Sequence, residues 1–89
     1  MISGQATIVN RLGLHARAAA RFVQLAGQFQ AAVRVSAGGR TTDGKSILGL
    51  LLLAAAQGTT VTIEADGPDE AGALEALVAL VVAGFEELR

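Results

Sequence analysis

The chain has 89 residues, which leaves room for one small domain, and we treat residues 1–89 as that single domain. Hydrophobic residues make up 52% of the sequence but aromatic residues only 3%, so the core must be built mainly from Ala, Val, Leu and Ile side chains. The absence of cysteine excludes disulfides and thiolate chemistry, and the net charge of -1, without any basic cluster, argues against a nucleic-acid-binding protein.

The first predicted elements are a strand and a helix. The sequence QATIVN at residues 5–10 is rich in β-branched side chains, and residues 10–13 then break the pattern. His15 lies just after this break. Residues 16–28 place apolar side chains at the i, i+3, i+4, i+7 spacing of an amphipathic helix. We therefore predict a helix over residues 16–28 with His15 at its entrance.

A hairpin and a second helix are predicted next. Residues 32–37 alternate apolar and polar side chains, and Gly38 and Gly39 form a two-residue turn signal before a polar strand at residues 40–42. Ser46 is suited to cap the following helix, because its hydroxyl can accept hydrogen bonds from unpaired N–H groups of the first turn. We predict this helix over residues 47–57, with Gly58 as its terminator.

A fourth strand and a third helix complete the predicted order. Residues 59–65 alternate again, and Pro68 suits the first position of a helix whose apolar stripe extends to Phe85. The order β-α-β-β-α-β-α gives strands with one polar face, so all three helices must cover the other face. The predicted fold class is α+β, an open-faced β-sandwich in which three helices cover one face of a four-stranded antiparallel sheet.

His15, the only histidine, is the strongest candidate for chemistry. It follows a glycine-containing break at a helix entrance, where unpaired N–H groups and the helix dipole stabilise an anion and disfavour a charged imidazolium. The free ring would therefore stay neutral and nucleophilic, and a phosphoryl group on it would be stabilised. Arg17 adds a planar, charged fork of donors that matches phosphate oxygens. From these residues alone, a plain helix cap at His15 and a solvated charge at Arg17 stay equally open.

The second predicted helix carries two further features. A role as the N-cap of this helix is sufficient to explain a serine at position 46. The alternative is a site of regulatory phosphorylation, because a phosphate is electrostatically favourable at a helix N-terminus. The helix is apolar nearly all round, whereas a helix lying on a sheet buries only one side. Its remaining leucines indicate an interface with a protein partner or with a second copy of this chain.

Two segments resemble the signatures of a known family. The sequences GLHAR at residues 13–17 and KSILGL at residues 45–50 are similar to the two signatures of the HPr family of phosphocarriers, at matching separation. Residues 67–77 resemble the last helix of the family, so the resemblance covers essentially the whole chain. It implies the bacterial phosphoenolpyruvate-dependent sugar phosphotransferase system, in which Enzyme I phosphorylates a histidine at Nδ1 and the carrier hands the group to a sugar-specific IIA domain.

The resemblance also implies roles for individual residues, and it implies no cofactor or metal. His15 matches the phosphorylated residue and Arg17 its phosphate-binding neighbour. Ser46 matches the serine that a dedicated ATP-dependent kinase, the HPr kinase/phosphorylase, modifies in some bacteria. The docking surface that the family shares among its partners falls on Ala16, Ala20, Gln24, Ile47, Leu48 and Leu51.

The sequence departs from the family pattern at two positions. Ala18 stands where the family commonly has proline, and we expect a less rigid first turn with the chemistry retained. Leu51 stands where methionine is common, which keeps an apolar anchor but gives up some adaptability toward varied partners.

The residues around His15 are also compatible with two alternative functions. A regulator of the nitrogen-related branch of the phosphotransferase system would use the same chemistry at His15. A small acylphosphatase-like hydrolase would bind phosphate through Arg11 or Arg17 with Asn10 and would hydrolyse its substrate without holding a covalent phosphate.

The longest apolar run, residues 47–56, is about half as long as a membrane-spanning helix, and the N-terminus lacks the pattern of a secretory signal. We expect a cytoplasmic protein that does not insert into a membrane.

Overall fold

Residues 1–86 are described by the computed structural model, which contains four strands and three α-helices in that range. In chain order these elements are β1 (Ile2–Thr7), α1 (Ala16–Ala26), β2 (Ala32–Ala37), β3 (Arg40–Asp43), α2 (Ile47–Leu53), β4 (Thr60–Asp66) and α3 (Glu70–Val82). A 3-10 turn, Gly84–Glu86, follows α3. The predicted order and fold class are confirmed, and the last three residues of the predicted domain lie outside the described residues.

The strands form one antiparallel sheet in the order β1-β4-β2-β3. Alternation along β2 and β4 buries one face of the sheet and leaves the other to solvent, as predicted. On the outer face Arg34 lies opposite Glu64 of β4 and Asp43 of β3, which makes a row of alternating charge. On the inner face α3 contacts β1 and β4, α2 contacts β2 and β3, and α1 contacts the two other helices.

The core lies between the sheet and the helices. Its largest fully buried side chains include Phe22, Phe85, Ile8, Leu50 and Leu77. Burying one side chain of this size contributes about 1.5–3 kcal/mol, so a handful of them carries much of the stability of a domain this small. A separate small cluster, Ala31, Ala65 and Ala73, packs against the half-buried ring of Phe29.

The first strand and the first helix differ from prediction at their boundaries. The strand was predicted over residues 5–10 and is observed at Ile2–Thr7. Residues 3–5 have low strand propensity, but pairing with β4 from Ala65 to Thr60 holds them extended, and propensity along one segment does not reveal that partner. Helix α1 ends at Ala26, two residues before its predicted end, because Gly27 caps it there.

The second helix is shorter than predicted. It ends at Leu53, and the predicted end at Gln57 and terminator at Gly58 are wrong. Ala54 adopts a left-handed conformation, with φ 52 and ψ 37, and its N–H donates to the carbonyl of Leu51. A left-handed residue ends a helix, but alanine rarely adopts this conformation, so the sequence carried no signal for the boundary.

The third helix also begins later than predicted. Pro68 lies in a turn before the helix, which is closed by the Glu70 N–H donating to the carbonyl of Gly67 over 3.2 Å. The helix itself starts at Glu70. Phe85, predicted as part of the helical stripe, lies beyond its end with a φ of 59 and is buried in the core. No helix in the range 1–86 has the length and apolar character needed to cross a membrane.

Candidate functional site

His15 is the N-cap residue of α1, as its place after the loop predicted. Its backbone is extended, with φ -80 and ψ -179, and its carbonyl accepts the Ala19 N–H over 2.8 Å. The imidazole Nδ1 accepts a hydrogen bond from the backbone N–H of Arg17 at 3.2 Å. A ring nitrogen that accepts a hydrogen bond carries no proton, so the proton of the neutral ring sits on Nε2. The Nδ1 lone pair is therefore aimed at the first turn of α1.

The surroundings of Nδ1 favour an anion. The N–H groups of residues 16–18 have no partner within the helix, as in the first turn of any α-helix, and they carry the positive end of its dipole. The His15 ring is only half-buried, so a partner can reach it. A phosphoryl group bonded to Nδ1 would bring its oxygens to these N–H groups. The site thus combines a nucleophilic nitrogen with preplaced donors for the group that it would receive.

The two arginines of α1 are differently engaged. Arg17 is exposed in the first turn, and its side chain makes no hydrogen bond or ion pair to another residue in the range 1–86. Arg21, one turn further along, donates from Nη1 to the carbonyl of Phe85 at 2.5 Å. Arg17 is therefore available to a phosphate, whereas Arg21 ties α1 to the turn that follows α3.

The segment that leads into His15 rests on the connection between α2 and β4. Gly13 has a φ of +66, and a Cβ added to it would lie 2.5 Å from the carbonyl oxygen of Ala55. The Leu14 N–H donates to the same oxygen at 2.9 Å. Glycine at this position is required both by the left-handed backbone and by the close approach of the two chain segments.

Asn10 and Arg11 were named above as phosphate ligands of a hydrolase. Arg11 is exposed, but Asn10 is buried, and its Nδ2 donates to the carbonyl of Gly13 at 2.8 Å. The Asn10 amide therefore stabilises the loop before His15 and is not accessible to a phosphate, so the phosphate-binding role suggested for it is wrong.

Ser46 caps α2, as predicted. Its Oγ accepts the Gly49 N–H at 3.0 Å, and its side chain is half-buried. The neighbouring Lys45 donates from Nζ to the carbonyl of Phe29 at 2.8 Å, which draws its charge toward the loop after α1. A phosphate on Ser46 would thus stand at the start of α2 and beside its exposed apolar residues.

The residues expected to meet partners lie on two helices that contact each other. On α1, Ala16 and Gln24 are exposed and Ala20 is half-buried; on α2, Ile47 and Leu48 are exposed and Leu51 is half-buried. Two further exposed apolar residues lie outside this expected docking set, Leu12 with 74% and Leu52 with 61% of the surface accessible. Leu52 follows Leu48 by one helical turn and is one of the leucines of this helix that the sequence predicts to stay exposed, whereas Leu12 lies in the segment predicted only as a break.

Among residues 1–86, no group of three or more His, Cys, Asp or Glu side chains is placed to hold a metal ion.

Comparison with known proteins gives a consistent set of matches. A family model described as the PTS HPr component phosphorylation site matches residues 2–83. The phosphocarrier protein HPr of Cupriavidus necator is 53% identical over 87 residues, which cover 98% of each chain. The phosphocarrier protein NPr of Shewanella violacea is 45% identical over 83 residues, or 93% of this chain and 91% of that one. A crystal structure of HPr from Thermoanaerobacter tengcongensis superposes with a TM-score of 0.94, at 39% identity and with full coverage of both chains.

Proposed function

The chain belongs to the HPr family, the phosphocarrier proteins of the phosphotransferase system, and from this premise we propose that His15 accepts a phosphoryl group from phosphorylated Enzyme I and passes it to a sugar-specific IIA domain. The observation that carries the proposal is the hydrogen bond from the Arg17 N–H to Nδ1 of His15. The protein would be a carrier that holds the group covalently between two partners. We propose the cytoplasm as its compartment, because phosphoenolpyruvate feeds the relay there.

The chemistry asks little of the carrier beyond positioning. The Nδ1 lone pair attacks phosphorus in line, the new N–P bond forms, and the bond from phosphorus to the donor breaks, with its electrons returning to the donor. The Arg17 N–H then moves from Nδ1 to a phosphoryl oxygen. The guanidinium of Arg17 neutralises part of the charge spread over these oxygens. Transfer to the IIA domain is the same step with the roles reversed.

The surface around His15 supports docking of an acidic, partly apolar partner. The apolar part is contributed by Leu12 in the loop before His15 and by Ile47, Leu48 and Leu52 on α2, the helix that contacts α1; each is between 43% and 74% exposed. Arg11 and Arg17 are exposed on either side of His15 in the sequence, and the chain has no acidic residue before Asp43. Since donor and acceptor must use the same patch in turn, we expect small, short-lived complexes at or below about 1,200 Å² of buried surface.

The matched arginine pair on α1 provides the first experiment. Rates of phosphorylation by Enzyme I and phosphoenolpyruvate are compared for Arg17→Ala, Arg21→Ala and the parent chain. We expect Arg17→Ala to slow transfer at least about tenfold, since one charge-assisted contact contributes roughly 1.5–3 kcal/mol. Arg21→Ala lacks the contact to the carbonyl of Phe85 but should stay within about twofold once its folded fraction is matched. Equal rates for the two variants would refute the role assigned to Arg17.

A second candidate is the nitrogen-related branch of the phosphotransferase system. It is favoured by the relative in Shewanella violacea, which carries the name phosphocarrier protein NPr. The two branches differ in donor and acceptor and share the chemistry at His15. Initial rates with the Enzyme I of each branch, at equal donor concentration, separate them. Preference for the sugar-branch donor by about tenfold or more in kcat/KM supports the first proposal, and the opposite preference supports the second.

We also propose that phosphorylation of Ser46 by an HPr kinase/phosphorylase lowers acceptance from Enzyme I. The phosphate adds about -1.5 to -2 charge directly before Ile47 and Leu48, where an acidic partner would dock. Ser46→Asp and Ser46→Asn both keep a side-chain cap, but only the first adds charge. We expect a raised KM for Enzyme I with Ser46→Asp and an unchanged KM with Ser46→Asn. A KM that is equal in both variants would leave Ser46 as a cap alone.

A further inference from the structure

Asn10 is the one polar residue that is buried within residues 1–86, with 6% of its surface exposed. A side-chain amide at such a site is destabilising unless it is hydrogen-bonded, so its partners indicate what the amide is for. Its Nδ2 donates to the carbonyl of Gly13 at 2.8 Å, and the Gly13 N–H donates to the carbonyl of Asn10 at 3.2 Å. The two contacts close residues 10–13 into a turn that ends two residues before His15.

The peptide bond between Gly13 and Leu14 is held at both ends. Its oxygen accepts from Nδ2 of Asn10 at 2.8 Å and from the His15 N–H at 2.9 Å. Its N–H, on Leu14, donates to the carbonyl of Ala55 at 2.9 Å. The peptide cannot rotate without breaking contacts on both sides. A Cβ on Gly13 would lie 2.5 Å from the same Ala55 carbonyl oxygen, so the segment also packs directly against Ala55 on that side.

We propose that Asn10 is a positioning residue for phosphoryl transfer at His15, an inference that rests on the proposed function of that histidine. The backbone of His15 continues directly from the clamped peptide, and the ring must turn back from it to meet the Arg17 N–H. Holding the peptide therefore holds Nδ1 over the first turn of α1. A misplacement of about 1 Å in a reacting atom can lower a rate by about a hundredfold, so the clamp bears directly on transfer.

Steady-state phosphorylation by Enzyme I provides the first test, with Asn10→Ala, Asn10→Ser and the core control Ile63→Val. Ile63 is fully buried on β4 and loses one methylene in the control, which lowers stability without touching the loop. Circular dichroism establishes that each variant is folded under assay conditions. We expect kcat to fall about tenfold or more in both Asn10 variants, with KM within about twofold, because the docking residues are untouched. Ile63→Val should keep both constants.

Two NMR measurements test the clamp without any phosphorylation. In the parent chain the Leu14 amide should exchange slowly with solvent, and the His15 side-chain 15N shifts should indicate an unprotonated Nδ1 and a protonated Nε2. In Asn10→Ala we expect Leu14 exchange to accelerate about tenfold or more and the 15N shifts to move toward those of a free imidazole.

The inference is overturned if the folded Asn10 variants keep kcat within about twofold of the parent, or if they lose no more than Ile63→Val does. Should neither Asn10 variant fold, rapid exchange of the Leu14 amide in the parent chain would overturn it. If the parent chain accepts no phosphoryl group from either Enzyme I, the proposed function fails, and the NMR measurements alone then decide whether Asn10 positions His15.

Discussion

Replacing Gly49 of α2 by alanine should destabilise the protein, although alanine is the better helix former. Intrinsic propensity favours alanine over glycine by about 1 kcal/mol within a helix. At Gly49, however, the added Cβ would overlap with Oγ1 of Thr42 on β3 and would lie 3.2 Å from Oγ of Ser46. Overpacking of this kind costs about 1–3 kcal/mol, because a short side chain cannot move aside as a long one can. We expect Gly49→Ala to lose up to about 2 kcal/mol in net stability.

Gly72 of α3 is the matched control. It is exposed, and a Cβ added there would meet only the Phe29 ring at 3.7 Å, an ordinary van der Waals contact. Gly72→Ala should therefore gain about 0.5–1 kcal/mol from propensity alone. Urea denaturation with equal m-values would give both numbers, and Gly72→Ala should be more stable than Gly49→Ala by about 0.5–3 kcal/mol.

The contact with Thr42 can be isolated in a double-mutant cycle. Thr42→Ala removes the hydroxyl that the new Cβ would overlap with. The double variant should therefore lose about 1–2 kcal/mol less unfolding free energy than the two single variants lose in sum. A displaced α2 would also shift Ile47 and Leu48, and KM for Enzyme I should rise in Gly49→Ala but not in Gly72→Ala. If Gly49→Ala is stabilised as much as Gly72→Ala, the close packing of α2 on β3 described above is incorrect.

Three further predictions concern single residues. Ala54→Gly should stabilise the protein by about 1 kcal/mol in urea denaturation, because the left-handed cap of α2 strains alanine and not glycine; an unchanged midpoint would contradict the left-handed cap. Hydrogen bonds from the backbone N–H groups of Gln30 and Ala31 hold the pKa of Asp69 below its ordinary value. The ionised Asp69 carboxylate therefore contributes its full stabilisation above about pH 4, and this stabilisation is lost as the pH falls through the lowered pKa. In acid, the unfolding free energy of Asp69→Asn should depend less on pH than that of the parent chain. Ala18→Pro should increase stability by about 0.4–1 kcal/mol and raise the thermal midpoint, because proline suits a first helical turn and restricts the unfolded chain. A lowered midpoint would mean that the fully buried site of Ala18 has no room for the ring or that the Ala18 N–H is used in the fold.

The sequence predicted the sheet best where strands alternate. In β2 and β4 every second residue is apolar, and these residues are buried as expected. In β1 the pattern is weak, since Ile2, Gly4 and Ala6 share the inner face with only one large side chain among them. Its strand state depends on pairing with β4, a long-range contact that a local pattern does not contain.

The reactive residues of the site were predictable from the sequence, but the hydrogen bonds that position them were not. A lone histidine at a helix entrance, followed by an arginine, carries a local signal, and the structure gives it the expected N-cap position. The contacts that hold the segment before His15 involve two residues without such a local signal. Ala55 lies beyond α2 and accepts the Leu14 N–H, and Asn10 lies in a predicted loop and donates to the carbonyl of Gly13. The left-handed conformation of Ala54 was also not predictable, because alanine has no intrinsic preference for it and no glycine marks the position.

Intact-mass spectrometry after incubation with phosphoenolpyruvate and Enzyme I tests the central claim most directly. The account predicts that the chain gains the mass of one phosphoryl group, that brief acid treatment removes it, and that 15N NMR of the phosphorylated protein assigns the N–P bond to Nδ1 of His15. His15→Ala should stay folded and gain nothing. An equal gain in His15→Ala, an adduct that survives acid, or no gain with the Enzyme I of either branch would contradict the account.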